Sequence, residues 1–369
     1  MSKHPYILGV SCDYHDSAVA LMRGPEIVFA AQEERYTRVK HDEESPKSAI
    51  EHALTYAGIT INDIDHIAFY EKPLLKFFDR LIPMYLKVWP KGFFQYHRAM
   101  QDWMHKKLWI KHRIERDLRY KGPISFAQHH ASHAASAYYP SGFDRAAVLT
   151  VDGVGEWATT TIGIGEGTDL RLLKEIHFPH SLGLLYSAIT YFLGFKVNSA
   201  EYKVMGLAPY GQPTYMEQMR KLIDLKSDGS FALDMRYFDY EHGLRMTGKA
   251  MEKLFCMKTR KPESPLIQAH KDIARSLQEI TDEAMLNLAR HAKEITGCDK
   301  LCMAGGVALN CVANGKILRS GMFKDVFIQP ASGDAGGALG AALRVWHTIY
   351  KGSRTPKMEH VFLGNEYTN

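Results

Sequence analysis

The sequence predicts an α/β fold of two duplicated lobes around a cleft, and three observations carry that expectation. Each half opens with a strand that ends in an aspartate, then a loop and a second strand; the two aspartates are Asp13 and Asp152. The C-terminal third alternates strand, glycine turn and helix, which is the α/β pattern. The 369 residues suit two lobes of roughly 150 residues each, and no Ser/Pro-rich linker separates them. We place the first lobe at residues 1–144 and the second at 145–369.

The elements follow in order. Three apolar runs, Tyr6–Cys12, Ser17–Met22 and Glu26–Ala31, are separated by a few polar residues and read as an antiparallel meander. Ser45-Pro46 supplies an N-cap and an N1 proline for a helix reaching about Gly58. His66–Tyr70 is a further strand, and Ile124–Gln128 runs straight into an alanine-rich helix, His129–Tyr139. The pattern then restarts with strand Arg145–Val151, a glycine turn and strand Thr159–Gly163. Ile273, Leu277, Ile280, Ala284 and Leu288 mark one face of a long helix closed by Gly297. Strand Lys300–Ala304, helix Val312–Ser320, strand Asp325–Gln329 and a last helix to about Tyr350 complete the second lobe.

Composition removes several classes. Apolar residues make up 46% and charged residues 24%, so collagen-like, disordered and disulfide-scaffold chains are excluded. Five cysteines, an odd number without a C-x-x-C pair, fit reduced thiols. No apolar run reaches the length of a membrane span, and the start reaches Asp13 too soon for a signal peptide. A soluble, cytoplasmic protein is expected. Net charge is +5, yet residues 72–121 alone carry 13 Lys/Arg against four Asp/Glu, which leaves −4 for the remainder. The same segment holds ten aromatic residues. It could grip nucleic acid, an anionic membrane face or a phosphorylated substrate, or it could be an amphipathic helical hairpin with its rings in a core.

The chemistry-bearing residues cluster at loops and turns. In H-H-A-S-H, residues 129–133, His129 and His133 are one helical turn apart on one face and can share a divalent ion, while His130 points elsewhere. Asp152 ends a strand just before a glycine turn, and Asp334 sits in Ser-Gly-Asp-Ala-Gly-Gly between strand and helix, where α/β proteins place ligands. Two histidines with two aspartates leave coordination positions open, which suits catalytic Fe(II), Mn(II) or Zn(II). Three glycine-rich turns, at 152–156 with Gly153, at 304–310 with Gly305, Gly306 and Asn310, and at 332–342 with Gly336, favour a nucleotide held between the lobes. None is a P-loop or a dinucleotide fingerprint. In Asp13-Tyr14-His15-Asp16-Ser17, His15 lies between carboxylates that could keep it basic and oriented for proton transfer. Lys40 ends a charged run and could reach a phosphate or a substrate hydroxyl.

These stretches, together with E-E-R-Y-T-R-V-K-H-D, F-P-H-S-L-G-L-L-Y-S and G-F-K-V-N-S-A-E-Y-K-V-M-G-L-A-P-Y-G, resemble the O-carbamoyltransferases of antibiotic and nodulation-factor biosynthesis, the NodU and cephem-carbamoyltransferase type. The resemblance runs through both halves in order; only residues 72–121 carry no matching motif. It implies the fold of actin, hexokinase and the heat-shock chaperone ATPases, and a likeness to the tRNA threonylcarbamoyl-transferase proteins. It further implies a metal, iron first with manganese or zinc behind it, at His129, His133, Asp152 and Asp334. By the same resemblance His15 is the catalytic base, Lys40 meets acceptor or donor, and Gly306 and Asn310 hold the adenylate. Asp13, His130 and Gly153 are assigned with them to substrate or donor contact, and Gly305 and Gly336 to the nucleotide.

Relatives of this type continue for about another 200 residues, a domain-scale length, into a synthetase-like domain that makes carbamoyl-adenylate from carbamoyl phosphate and ATP. The present sequence reaches only the handover stretch Phe362-Leu363-Gly364-Asn365-Glu366-Tyr367-Thr368. The expectation is therefore a transfer half, either truncated or one subunit of a split enzyme, that moves carbamoyl from the adenylate to an acceptor hydroxyl and releases AMP. A homodimer is kept open as its assembly, and nucleic acid is not expected as a partner. Two alternatives stand beside it, a tRNA-modifying transferase using the basic segment as its RNA face, and a non-catalytic nucleotide-binding subunit.

Overall fold

A computed structural model describes residues 4–367. In the first half, β1 (Tyr6–Ser11), β2 (Ala18–Arg23) and β3 (Glu26–Gln32) form the antiparallel meander, and β4 (His66–Phe69) and β5 (Ile124–Phe126) join parallel on the other side of β1. In the second half, β6 (Arg145–Val151), β7 (Ala158–Glu166) and β8 (Asp169–His177) repeat the meander. A small ribbon of β9 (Ile223–Leu225) and β10 (Phe231–Leu233) stands apart, and β11 (Lys300–Ala304) and β12 (Asp325–Ile328) add parallel to β6. The two sheets have orders β3-β2-β1-β4-β5 and β8-β7-β6-β11-β12, the same topology twice. The duplicated α/β reading is thereby met.

β8 was not expected from the sequence. Its residues, Asp-Leu-Arg-Leu-Leu-Lys-Glu-Ile-His, are exposed along most of their length because β8 is an edge strand. Charges on such an edge block pairing with other chains, and they also blur the apolar alternation that would betray a strand. The N-cap of the helix Lys47–Ala57 also differs. Pro46 occupies it and Ser45 does not cap; the free N–H groups of Ser48 and Ala49 donate instead to the Glu33 carboxylate at 3.0 and 2.7 Å.

Two helices lie between the sheets. All ten residues of His129–Tyr138 are buried, which explains a sequence built almost wholly of Ala, Ser and His. The last helix, Asp334–Thr348, packs against it at close range; a Cβ on Gly340 would run into the Ser132 carbonyl. That last helix also covers β1, β2 and β4, and a Cβ on Gly9 would strike its Ala338 carbonyl. By packing, therefore, it belongs to the first sheet although it comes from the second half. Its apolar face completes one core with β1, β2 and β4, while the long helix Gln268–Thr296 completes the other against β6 and β7.

The basic segment is helical, as the hairpin alternative had it, but it bridges the lobes. A π-helical turn, Lys76–Leu81, leads into helices Ile82–Val88, Phe93–His105 and Ile110–Leu118. Phe77, Leu81, Met84, Tyr85 and Trp103 form a small core of their own, with Phe178 of the second half packed against it. Lys87 meets Glu241 at 3.0 Å and Gln95 donates to the Tyr240 carbonyl, so this cap touches both halves.

Candidate active site and metal centre

His129 and His133 both turn Nε2 toward the carboxylates of Asp152 and Asp334. The two Nε2 atoms are 3.1 Å apart; His129 is 3.0 Å from Asp152 Oδ2, and His133 is 3.5 Å from Asp334 Oδ1. One ligand atom from each of the four lies within 4.8 Å of the others. Local structure explains the convergence. His129 is held at the start of its helix because Glu156 accepts its N–H, and Glu156 also accepts from the backbone N–H of Lys72 in the cap. Asp152 follows β6 directly, and its Oδ1 accepts from Gly306 N–H at 2.7 Å. Gly305 supplies the turn before that, with φ near 95° and no room for a side chain against the Val151 carbonyl.

The donor set fits a divalent cation. Two nitrogens and two carboxylate oxygens converge, and Asp334 Oδ2 is buried without a hydrogen-bond donor, as a carboxylate oxygen aimed at a cation would be. The charges point the same way. Burial alone would raise the Asp152 carboxyl, yet hydrogen bonds from His129 and His133 hold it well below its usual range. Burial opposes a proton on His133 as well, but its bonds to Asp152 and Asp334 push it up to about 9. His15 is likewise raised to about 9, against burial, by the charge of Asp334 and its bond to Asp16. A divalent cation beside Asp334 would oppose the proton on His15, because both draw on that carboxylate's charge.

His15 stands beside this cluster. Asp16 accepts from its Nδ1 at 2.8 Å, Asp16 also meets His41 Nδ1 at 2.7 Å, and His15 Nε2 is 3.8 Å from Asp334 Oδ2. The orienting carboxylate is thus Asp16. Asp13, the other flanking carboxylate, turns away, and both its oxygens are taken by Arg113 Nη1 at 2.7 and 2.8 Å.

A cleft of about 250 Å³ opens on these groups, lined by His15, Asp16, Asp152, Gly153, Gly306 and Asn310 among others. Lys40 is exposed and does not line it, but its Nζ lies 5.1 Å over the ring of Tyr202, which does. Asn310 lines the cleft while its side chain caps the helix Cys311–Arg319 and pairs with Gln278. Gly336 does not line it; a Cβ there would meet the Ala331 carbonyl, so its small size serves the entry to the last helix. His130 does not line it either. It is buried behind the cluster with Nδ1 2.6 Å from Thr150 Oγ1, and burial together with the neighbouring histidines depresses it to about 3.

Several residues at the site were not singled out in the sequence. Glu71 is buried 4.0 Å from His129 Nδ1 and pairs with buried Lys76 at 2.6 Å. Arg80, one helical turn on, is buried and donates to the Gly155 carbonyl. His41 stood in a charged run and Glu156 in a glycine turn, both quoted for other reasons. Only pairing across 25 to 84 positions of chain shows their use.

A family model described as the carbamoyltransferase N-terminus matches residues 6–343. An uncharacterized protein of Synechocystis, sll1178, is 52% identical over 99% of this chain and 61% of its own length. The nodulation protein NolNO of Sinorhizobium fredii is 36% identical over 95% of this chain and 49% of its own. The chain thus spans about half to three-fifths of these relatives. Among solved structures, HypF of T. kodakarensis is similar with a TM-score of 0.45 and 13% identity, over 94% of this chain and 48% of that one. No helix among the described residues is long and apolar enough to cross a membrane.

Proposed function

Since this chain belongs to the carbamoyltransferase N-terminal family, we propose that it carries out the transfer step of an O-carbamoyltransferase, moving carbamoyl from carbamoyl-adenylate to an acceptor hydroxyl. One observation carries the reading, namely that the His15–Asp16–His41 chain lines one cleft with Asp152 and with glycine turns, while Asp152 and Asp334, the latter 3.8 Å from His15, tie that cleft to the buried cluster they form with His129 and His133. In this scheme the acceptor oxygen forms the new bond to the carbamoyl carbon, and the carbon–oxygen bond to the adenylate phosphate breaks. His15 Nε2, in its neutral form, takes the hydroxyl proton, so transfer should gain as pH rises toward about 9, and AMP leaves with the bonding electrons. Asp16 keeps the His15 ring in register by holding Nδ1. The backbone turns at Gly153 and Gly306 allow close approach of the donor.

His129, His133, Asp152 and Asp334 would hold the cation, iron(II) being the first candidate and manganese or zinc the alternatives. When bound it would supply positive charge where negative charge develops on the donor's oxygens. Nucleotide use as ATP or AMP belongs to the same proposal, and so do a synthetase-like partner or further domain as donor source and a homodimer as assembly.

The cap supports the enzyme reading over the RNA-binding one. Lys76, Arg80, Lys106, Lys107 and Arg113 are engaged by Glu71, the Gly155 carbonyl, Glu44, Asp102 and Asp13, so these five serve contacts within the protein. The test is a transfer assay with preformed carbamoyl-adenylate and a panel of hydroxyl acceptors. AMP release that requires an acceptor and disappears in His15→Gln supports the proposal. Tight, salt-sensitive tRNA binding without acceptor-dependent turnover overturns it.

A further inference from the structure

A second cavity, about 540 Å³ in volume, lies where the start of the helix Lys47–Ala57 meets the cap. It shares no lining residue with the cleft. Its walls present Lys47, Lys106, Arg113 and Arg116, with His105 and His112 beside them, against only Glu44 and Asp117. Its size is that of a small-molecule site.

The charges within it are unevenly matched. Lys106 is met by Glu44 at 3.0 Å and Arg113 by Asp13, but Lys47 and Arg116 share one carboxylate, Asp117, at 3.8 and 2.8 Å. Surplus cations in a concave place repel one another and focus a positive potential, which a bound anion relieves. One wall is Trp109. Its indole N–H donates to the Met104 carbonyl at 2.7 Å, so the ring is held in one orientation while 56% of the residue stays exposed. A fixed aromatic face beside unmatched cations suits an oxyanion carried on a flat or apolar body.

The cavity is also wired to the catalytic loop. Arg113 lines it and holds both oxygens of Asp13, whose backbone takes the left-handed conformation with φ 73°, two residues before His15. An anion that accepts from Arg113 loosens that hold.

We propose that this junction cavity is a binding site for a small organic oxyanion, a phosphate monoester or a carboxylate on an aromatic or apolar body. Its occupancy is passed through Arg113 and Asp13 to the loop that carries His15. The probe is phenyl phosphate, titrated into the intact chain by calorimetry, with benzoate in a parallel arm. The side chains of Lys47 and Arg116 are 66% and 63% exposed, so their replacement should leave the fold intact, checked by thermal melting.

Saturable binding is expected, weakened about ten-fold or more in Lys47→Ala/Arg116→Ala, the scale of losing two charge-assisted contacts. Trp109→Phe should keep most of the affinity. Hydrogen exchange over residues 13–17 should speed up on saturation. Preference for phenyl phosphate assigns a phosphate ester, and equal or better binding of benzoate assigns a carboxylate. Affinity unchanged in the double variant, or exchange over residues 13–17 unchanged at saturation, overturns the proposal.

Discussion

Asp13 and Asp152 hold the same place in the two copies of the fold, just beyond the central strand of each sheet, and their carboxylates are used in opposite ways. Asp152 faces His129 and His133, whereas Asp13 is closed by Arg113. The duplication therefore leaves one of the two aspartates facing histidines and the other closed by an arginine. The difference comes from what packs above each loop, the histidine helix in one case and the cap in the other.

Loss of a cluster ligand should empty the site. His133→Ala and Asp334→Asn are expected to lower cation affinity by well over about ten-fold, with loss of transfer activity. His133 is wholly buried, so its replacement should also lower the melting temperature. Metal content after gel filtration, measured on samples whose circular dichroism is intact, checks this; full occupancy in both variants would refute the assignment.

Asp16→Asn breaks the bonds to His15 and His41 together. Turnover should fall by about 10²-fold while donor affinity is kept, because the ring loses its orientation and the donor's turns are untouched. Steady-state kinetics with separate kcat and KM values distinguish this from a general loss of binding.

The buried pair of Lys76 and Glu71 gives a stability prediction. Lys76→Met leaves Glu71 buried without its partner and should cost about 3–5 kcal/mol in urea unfolding, whereas the double change Glu71→Gln/Lys76→Met should recover most of it. Equal stability of the single and double variants would mean that the pair is wetter than its burial indicates.

Acid should destabilise the fold through His347. This residue is buried, stacked on Tyr139 at 3.8 Å and bonded to Thr355, and burial lowers it to about 4. Unfolded, it titrates near 6.5, so between about 6.5 and 4 the unfolded chain binds the extra proton. Stability is fully present above the upper value and declines as pH falls through that window. His347→Gln should flatten this part of the pH–stability curve, measured by denaturant midpoints at fixed salt.

Much of this was legible in sequence because it is local. The Asp13 and Asp152 turns, the His129/His133 spacing and the glycine entries each lie within a few residues, and period and turn chemistry report on that scale. What escaped depends on distant chain. Glu33 caps a helix that Ser45 seemed placed to cap, and nothing near either residue announces it. His130 was assigned to substrate from its motif, and only the β6 and β7 hydroxyls around it, Thr150 and Thr161, show it facing the sheet. The cap was readable as helical, but its Arg80 gains a partner, the Gly155 carbonyl, only when the second half meets it.

The last helix bears on how the protein comes off the ribosome. β1, β2 and β4 are made first, yet their cover and the fourth cluster residue, Asp334, arrive some 270 residues after β4. During synthesis that sheet face must wait naked, exposed to chaperones and to aggregation. A nascent chain stalled before Asp334 would have neither a finished first core nor the complete cluster of His129, His133, Asp152 and Asp334, so under the proposed reading no half-made protein could bind the metal before it had acquired the fold.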